Sequence, residues 1–497
     1  MKIFRTKERK FYASVLIVGI LLIACWSAFG TITITDTGTN SFTISDVQDE
    51  RYQMIRNSNG NYWDSSGANL QLAIWDLNGT GGEVELPGST ISCSAVINLI
   101  SNITIIGKGY STLLFLEGGS DCDIIDITSR ENIHIEKIRF DGNNASNTDN
   151  PLIDIQSAGA GNAHTKNITI RDCWFFNCGT SMVDVHYDDN TWWLKVEDCF
   201  FNGIEREIGK YPAGIWMSGF NAILKNNWIE NTYACGIVIE ASSAELMASN
   251  IVIDSNFVTG YTGYGILVEG GGDTANITVV NNHCWELYSI AYFAPESSYS
   301  TGIRCTGNST IANNYVHDVY RHGIYADGNY TIVTGNVIED VETKEGIQIS
   351  GNGIVSNNII RNIHGNVGGA GRGIRACNEW FDNCRFIITG NYIENCDSSA
   401  IHVDTAGGSG SIQGCVVSNN IIDTVAGDGL DLDDVENSTI MGNTFANYGG
   451  LAIDEASTCY NNTFIGNTAR DAGNDYDFDG GGSAVGVEII ANVGQIA

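Results

Sequence analysis

The segment Ile311-Ala312-Asn313-Asn314-Tyr315-Val316 is the strongest indication of the fold, because close copies of it recur at 224–229, 355–360 and 417–422. Each copy begins with a hydrophobic residue and contains two asparagines followed by two hydrophobic residues. With the second asparagine as a marker, the repeat advances by 22 to 33 residues at a time. A recurring unit of this length predicts a solenoid. The markers are Asn227, Asn256, Asn282, Asn314, Asn336, Asn358, Asn391, Asn420, Asn443 and Asn467.

A short alternating strand follows the markers, as in Gly346-Ile347-Gln348-Ile349 and Gly429-Leu430-Asp431-Leu432. Period-2 alternation excludes helical repeats, and the irregular steps exclude a hairpin array. Coils of two or three short strands, stacked in parallel about 4.8 Å apart, fit both observations. An inward asparagine can then hydrogen-bond to its neighbours above and below. We therefore predict an all-β solenoid with an internal asparagine ladder, in which Cys173 and Cys199 hold the marker position two coils earlier.

The front of the chain carries three further patterns. Residues 67–75 have the pattern of a short amphipathic helix, 81–88 read Gly-Gly-Glu-Val-Glu-Leu-Pro-Gly, and 102–109 end in Ile-Gly-Lys-Gly. With these, the sequence resembles the right-handed parallel β-helix proteins of the pectin-lyase-like superfamily. The resemblance implies a single-stranded right-handed parallel β-helix with an N-terminal capping helix, over residues 65–470. That fold hosts lyases, hydrolases, epimerases, adhesins and phage tailspikes, so the resemblance leaves activity open.

The first 30 residues have the pattern of an export segment. Basic residues up to Lys10 precede a hydrophobic run from Phe11 to Phe29, as in a signal peptide. Three outcomes stay open: acylation of Cys25 in a lipobox-like Leu-Ile-Ala-Cys, ordinary cleavage near Ala28-Phe29-Gly30, or an uncut membrane anchor. Each predicts an exported protein, outside the cell or on its surface. We interpret residues 31–64 as a lead-in segment and 471–497 as a C-terminal cap.

The amino-acid composition limits the binding partners that the chain is expected to have. The chain has 497 residues, and 58 Asp and Glu against 25 Lys and Arg give a net charge of −33. This balance argues against nucleic-acid binding, which needs clustered basic residues. The 14 cysteines include no pair of Cys-x-x-Cys motifs, so a zinc site is not expected. Cys377 and Cys384 are close enough in sequence for a local disulfide.

Charged residues gather at outward positions near the carboxyl-terminal end. Counting outward positions along the Gly-Ile-x-Ile strands puts six of them on one face, within about four coils. Stacked carboxylates repel, so either the pKa of one rises or a cation binds between them. The candidate catalytic residues are Arg375, His402, Asp404, Asp431 and Asp433, and the candidate Ca²⁺ ligands are Asp404, Asp433 and Asp454.

Two reactions fit this predicted cluster. A carboxyl group with a raised pKa can act as general acid in glycoside hydrolysis, and Arg375 or His402 beside Ca²⁺ can act as base in a β-elimination. The plainer alternative is a solvated acidic face. Polygalacturonases of the superfamily carry Asn-Thr-Asp, Asp-Asp, Gly-His-Gly and Arg-Ile-Lys on successive coils. Fragments of these motifs occur here in the wrong order, so their roles are not carried over.

Aromatic residues follow several markers. Trp174 and Trp228 take this position, and Trp216 occupies an outward strand position between them in the sequence. We predict that the three tryptophans bind substrate as a sugar-stacking platform; the alternative is an aromatic stack covered by turns. The sequence thus predicts an exported, surface-attached protein that binds polysaccharide, with hydrolysis or elimination as a further option. The net negative charge of the protein would repel acidic glycans. It therefore favours a neutral glycan, or activity that depends on calcium. The alternative is a non-catalytic adhesin or structural protein of the cell envelope.

Overall fold

The computed structural model describes most of the chain. The described residues are 32–36, 42–46, 53–143, 150–156, 164–185, 192–204, 212–241, 248–270, 275–285, 300–366, 371–378, 384–406, 411–456, 458–470, 476–477 and 488–490. The predicted export segment, with Cys25, lies outside them, as does most of the predicted C-terminal cap. Among the described residues, no helix is both long enough and hydrophobic enough to cross a membrane.

The described chain winds through three parallel sheets in a repeating order, here called sheets I, II and III. Residues of one coil pair with their equivalents in the next, so Ile374 pairs with Ile347 on one side and Ile401 on the other. This parallel β-helix confirms the predicted fold and its in-register stacking. The inward hydrophobic side chains of all three sheets form one long core.

Sheet I forms one continuous ladder. Its parallel strands are Gly82–Glu85, Ile103–Ile106, Glu131–Glu136, Lys166–Arg171, Trp192–Glu197, Phe220–Lys225, Ser249–Asp254, Ala275–Val280, Ser309–Ala312, Thr331–Thr334, Gly353–Ser356, Phe386–Thr389, Val416–Ser418, Thr439–Met441, Thr463–Ile465 and Glu488–Ile490. Two antiparallel strands, Ile55–Asn57 and Tyr62–Trp63, extend it at the amino-terminal end.

Sheet II follows sheet I in each coil. Its strands are Thr90–Cys93, Leu113–Leu116, Arg139–Asp141, Trp174–Cys178, Phe200–Ile204, Trp228–Glu230, Phe257–Thr259, His283–Trp285, Tyr315–Val319, Val337–Val341, Ile359–Ile363, Tyr392–Cys396, Ile421–Val425, Thr444–Tyr448 and Thr468–Arg470.

Sheet III completes each coil. Its strands are Ile97–Asn98, Ile125–Thr128, Ile153–Gln156, Val183–Val185, Ala213–Met217, Cys235–Ala241, Tyr264–Gly270, Thr301–Thr306, Ile324–Asp327, Ile347–Ser350, Ile374–Cys377, Ile401–Asp404, Leu430–Leu432, Ile453–Glu455 and Tyr476–Asp477. Apart from the three sheets, Ile32–Asp36 pairs with Phe42–Asp46, and Ile412–Gln413 pairs with Val435–Glu436.

A single α-helix among the described residues, Gly67–Trp75, lies at the amino-terminal end of the solenoid and confirms the predicted capping helix. The Ser66 hydroxyl accepts a hydrogen bond from the amide of Asn69 at its start, which satisfies one of the unpaired amides of the first turn. Leu70 and Ile74 are fully buried. A short 3₁₀ turn, Gly109–Ser111, lies between the second strand of sheet I and the second strand of sheet II.

The repeated asparagine pair has a separate role for each member. The first, such as Asn313 with φ 56°, takes the left-handed conformation that asparagine tolerates better than most residues. The second forms the predicted ladder. Asn314 is 1% exposed and donates from Nδ2 to Asn336 Oδ1 at 2.9 Å and to the carbonyl of Val279 at 2.9 Å. The backbone amide of Cys199 donates to Asn227 Oδ1, so Cys199 holds the marker position one coil earlier, as predicted.

Glycine occurs at the start of several strands of sheet III because neighbouring coils leave no room for a side chain there. A Cβ on Gly373 would lie 2.5 Å from Ile393 Cγ2 and 2.6 Å from the carbonyl oxygen of Ala400. This close approach fixes the register, so outward side chains of successive strands lie directly over one another. The described cysteines, including Cys377 and Cys384, form no disulfide, and the predicted local bridge is therefore wrong.

Candidate functional site

The outward face of sheet III carries a continuous column of polar side chains. Strand register makes each member the direct partner of the next, one coil away. Partners in a parallel pair are about 4.8 Å apart. The column therefore stacks one side chain per coil along the solenoid axis. In order, it contains Arg304, Tyr325, Gln348, Arg375, His402 and Asp431.

A cavity of about 330 Å³ opens over the first four members of this column. Four cationic side chains and one carboxylate line it, in a protein whose net charge is −33. The cavity is therefore a local concentration of positive charge on an acidic molecule. Its lining consists of Tyr264, Thr301, Arg304, Arg321, His322, Tyr325, Lys344, Glu345, Gln348 and Arg375.

Glu345 is a buried carboxylate in the cavity lining that contacts two basic side chains. Its carboxylate lies 3.1 Å from His322 Nε2 and 3.4 Å from the guanidinium of Arg372, and its side chain is 2% exposed. Burial alone would raise the pKa of Glu345. The hydrogen bond with His322 and the charges of His322, Arg375 and Arg372 outweigh burial and lower the pKa to about 2. Glu345 is therefore ionised and fixes the basic side chains around it.

Aromatic rings form the other wall. Arg304 donates to the Tyr264 hydroxyl at 3.1 Å, and its guanidinium carbon lies 5.4 Å from the centre of the Tyr325 ring. His322 stacks on Tyr325 with a centroid distance of 5.3 Å. Together with an ion pair to Glu269 at 3.8 Å, these contacts restrict the orientation of Arg304. The cavity thus combines fixed cations with flat aromatic surface.

Arg375 lies where the cavity meets the carboxyl-terminal cluster. Its Nε and Nη2 donate to the two carboxylate oxygens of Asp404 at 3.1 and 2.8 Å. Burial would lower the pKa of Arg375, but the hydrogen bonds and the charge of Asp404 raise it above the usual arginine value. An arginine held in this way keeps its proton. The sequence-based option of Arg375 as a base is therefore wrong.

His402 lies among three carboxylates. Its Nε2 is 3.2 Å from Asp433 Oδ2, 3.6 Å from Asp431 Oδ2 and 4.0 Å from Asp404 Oδ2, and the ring is 5% exposed. Burial, and then the charges of Asp433 and Asp428, raise the pKa of Asp431 despite the opposing effect of His402. The structure thus brings together all five residues that the sequence proposed as catalytic.

The predicted calcium set needs correction. Asp454 pairs with Asp431 in the first outward column and does not follow Asp433. Asp404 is engaged by Arg375. In this part of the described structure, the groups whose possible ligand atoms lie within 4.8 Å of one another are His402, Asp431 and Asp433. The set Asp404, Asp433 and Asp454 is therefore wrong as a single coordination sphere.

The predicted tryptophan platform is also wrong as a single surface. Trp174 and Trp228 belong to sheet II, whereas Trp216 belongs to sheet III. Trp216 is only 7% exposed and packs with Val238 and Leu267 in a second hydrophobic cluster. Trp174 is half-buried. Trp228 is 45% exposed and stacks on Phe257 at 5.1 Å, so it alone of the three offers an open ring.

A second group of carboxylates lies at the amino-terminal end of sheet III. Asp126, Asp154 and Asp184 are register partners on successive coils. Burial, followed by the charges of neighbouring carboxylates, raises the pKa of Asp184 to about 8 and that of Asp123 to about 7. These two carboxyl groups, Asp184 and Asp123, therefore hold protons near neutral pH.

Sequence reasoning missed the cavity, although signals were present. Arg304, Tyr325 and Gln348 occupy the same outward column as Arg375, and their charge and aromaticity could have been added to the site. Arg321-His322 and Lys344-Glu345 immediately precede the glycines of two successive strands of sheet III. Basic residues at equivalent turn positions of adjacent coils were the remaining signal.

The family model described as "Right handed beta helix region" matches residues 84–284 and 369–494. The chain belongs to the right-handed β-helix family. This assignment agrees with the three sheets and the strand register described above. No curated protein matches the chain.

Solved structures similar to this right-handed β-helix include three proteins of different activity. The A-module of an Azotobacter vinelandii mannuronan C-5 epimerase is 16% identical, with 86% of this chain and 94% of that chain covered and a TM-score of 0.38. A Streptococcus pneumoniae surface adhesin is 14% identical, with 78% and 88% covered and a TM-score of 0.41. The catalytic domain of a GH87 α-1,3-glucanase bound to nigerose is 15% identical, with 82% and 67% covered and a TM-score of 0.40. These similarities concern the fold.

Proposed function

We propose that this protein binds an acidic polysaccharide along the outward face of sheet III and hydrolyses it beside His402, Asp431 and Asp433. The observation that carries the proposal is the cavity of about 330 Å³ with four cationic side chains and a single carboxylate. Its volume is in the usual range for ligand sites. The proposal revises the expectation of neutral glycans, because the charge of the cavity is opposite to that of the whole protein.

The chemistry of the cavity suits an acidic sugar. Guanidinium groups bind carboxylate or sulfate through paired, charge-assisted hydrogen bonds. Tyr264 and Tyr325 also line the cavity, and aromatic side chains are common partners of sugar C–H groups. Because the cations and the carboxylate cluster lie on successive coils of one column, a linear glycan held by Arg304 extends toward Asp431.

The carboxyl-terminal cluster supplies groups for acid–base chemistry. The raised pKa of Asp431 lets it hold a proton and act as general acid. Asp433 is more exposed and lies beside it, with the two nearest oxygens within 4.8 Å. Two neighbouring carboxyl groups are the arrangement of retaining glycosidases, in which the second carboxylate is the nucleophile. His402 orients Asp433 through the 3.2 Å contact.

The test is a panel of polyuronate, sulfated and neutral polysaccharides with the purified protein, measuring binding and new reducing ends. We expect binding and cleavage of an acidic glycan, weakened by salt and by Arg304→Gln. Arg361→Gln, an exposed arginine of sheet II, is the matched control. Preference for a neutral glycan, or binding insensitive to Arg304→Gln, would contradict the proposal.

Export and membrane attachment through the N-terminal segment, or through a lipid on Cys25, are part of the proposal. The basic residues before the hydrophobic run at 11–29 support them. Cell fractionation of the wild-type protein and of Cys25→Ser tests both points. Recovery of the protein in the cytoplasm would contradict export. If Cys25→Ser stays attached to the membrane, the lipid-anchor option is wrong.

The alternative function, a non-catalytic adhesin, draws support from sheet II. Trp228 and Phe257 stack there, and both are exposed, as is Tyr315 further along the same face. These rings offer a sugar-binding surface away from the carboxylate cluster of sheet III. Glycan binding that produces no new reducing ends, and that Trp228→Ala weakens, would favour this alternative.

A further inference from the structure

Two histidines of sheet II face each other on adjacent coils. Strand register pairs His283 with Tyr315 and Trp285 with His317. The two histidines are therefore diagonal neighbours on the outward face. Their Nε2 atoms lie 2.8 Å apart. This pair lies on a different sheet from the proposed polysaccharide site.

The second nitrogen of His317 is held by a carboxylate. Its Nδ1 lies 2.6 Å from Asp318 Oδ2. A carboxylate oxygen accepts hydrogen bonds, so we assign the hydrogen to Nδ1, which donates it to Asp318. In this tautomer the lone pair is on Nε2, which faces His283. The same carboxylate–histidine arrangement orients histidine ligands in metal sites.

Aromatic rings surround His283: Phe257 at 4.6 Å, Trp285 at 4.4 Å and Tyr315 at 4.7 Å between ring centroids. A metal ion binds imidazole through the lone pair of a ring nitrogen. The neighbouring rings limit the orientations that His283 can adopt.

We propose that His283 and His317 form a two-histidine site for a divalent transition-metal ion that prefers tetragonal geometry, such as Cu²⁺ or Ni²⁺. Histidine nitrogens lie about 2.0–2.1 Å from such a metal. With the two nitrogens 2.8 Å apart, the angle at the metal is close to 90°. This angle fits two adjacent positions of a square-planar or octahedral ion. Tetrahedral Zn²⁺ would need the nitrogens about 0.5 Å further apart.

Without metal, one Nε2–H donates a hydrogen bond to the other Nε2. This hydrogen bond accounts for the separation of 2.8 Å between the two nitrogens. Metal binding replaces it, and the proton of His283 moves to its Nδ1. Water completes the coordination, because only two ligands come from the described protein groups. The proposal therefore predicts an open site of modest affinity, with two nitrogen ligands and no thiolate.

The test is Cu²⁺ titration of the full, untagged chain, followed by electron paramagnetic resonance. We expect one bound ion whose spectrum shows coupling to two imidazole nitrogens. His283→Phe, which keeps an aromatic ring in the column, and His317→Gln should each remove this signal. Asp318→Asn should weaken binding by about tenfold. His364→Gln is the matched control, because His364 also contacts an aspartate on sheet II but has no histidine partner in the described structure.

Circular dichroism of each variant distinguishes loss of the site from loss of the fold. The wild-type spectrum decides the proposal independently of the variants. A spectrum with one nitrogen ligand or none, or a two-nitrogen signal that survives in both histidine variants, would overturn it. A two-nitrogen signal that His364→Gln removes would also overturn it.

Discussion

Arg375 and Asp404 form a bidentate ion pair across adjacent coils, with donor–acceptor distances of 3.1 and 2.8 Å. Both side chains are less than one-fifth exposed. The pair joins the cationic cavity to the carboxylate cluster around His402. It therefore fixes the relative position of the two parts of the proposed site.

Replacement of this carboxylate should destabilise the protein. Asp404→Asn removes the ionic partner of Arg375 and should reduce the free energy of unfolding by about 1.5–3 kcal/mol. Denaturant unfolding monitored by circular dichroism measures this change. The control is Glu394→Gln, which removes a more exposed partner of Arg361 and should cost less than about 1 kcal/mol. Equal losses in both variants would contradict a structural role for the Arg375–Asp404 pair.

The proposed general acid gives a kinetic prediction. Asp431→Asn should lower kcat by about 10²–10⁴-fold and change KM little, because the group acts on the bond being broken. Asp454→Asn, one coil further along the column, should keep most of the activity. Initial rates of reducing-end release measure both variants. An Asp431→Asn enzyme of normal kcat would rule out this assignment.

Dependence on a metal ion distinguishes hydrolysis from calcium-assisted elimination. Ca²⁺ prefers six to eight oxygen ligands. The candidate metal-binding group in the carboxyl-terminal cluster instead combines the carboxylates of Asp431 and Asp433 with a nitrogen of His402. We therefore expect hydrolysis to continue in EDTA, without an ultraviolet-absorbing unsaturated product. Activity lost in EDTA and restored by Ca²⁺, with such a product, would instead support the calcium-assisted elimination suggested by the sequence.

The amino-terminal carboxylates predict a pH dependence of stability. The pKa of Asp184 is raised to about 8, from about 3.9 in an unfolded chain. Its protonated form is therefore favoured by folding, and this contribution is complete below about pH 4 and lost as pH rises toward 8. Asp184→Asn should flatten the fall in unfolding free energy between pH 5 and 8. Asp64→Asn, at an exposed position, should leave the slope unchanged, and equal slopes in all three proteins would refute the prediction.

The asparagine ladder should contribute to stability at each coil. Asn336→Ala leaves the side-chain amide of Asn314, its backbone N–H and the Ile311 carbonyl without their partner. Buried groups without partners are costly, so we expect a loss on the order of 3 kcal/mol in denaturant unfolding. Asn366→Ala, which removes an exposed bond to Glu342, should change stability little. A loss in Asn336→Ala no greater than in this control would contradict the ladder's role.

Much of the fold could be predicted from the sequence because each coil repeats the same physical solution. The second asparagine of the pair marks a buried hydrogen-bond ladder, and alternation after the glycine identifies outward positions. For this reason the repeat alone was enough to align Arg375, His402 and Asp431 in one column. The alignment failed at Asp454 because Ala452 takes the place of the glycine that opens the preceding strand, which shifted the count by two residues.

Other features of the site depend on three-dimensional surroundings. An outward position predicts a face of the sheet but not its exposure, and Trp216 is buried although it points outward. Arg321 and Lys344 lie in turns before their strands, where the direction of a side chain depends on turn geometry more than on alternation. The contact between His283 and His317 is diagonal across coils. Comparison of equivalent positions alone does not reveal it.

The most direct test of the central claim is a crystal structure of the Asp431→Asn protein with an acidic oligosaccharide bound. We expect a glycan along sheet III, with a carboxylate or sulfate group within hydrogen-bond distance of Arg304 or Arg375 and a glycosidic bond beside residue 431 and Asp433. A glycan bound to the aromatic rings of sheet II, with the sheet III cavity empty at saturating ligand, would contradict it.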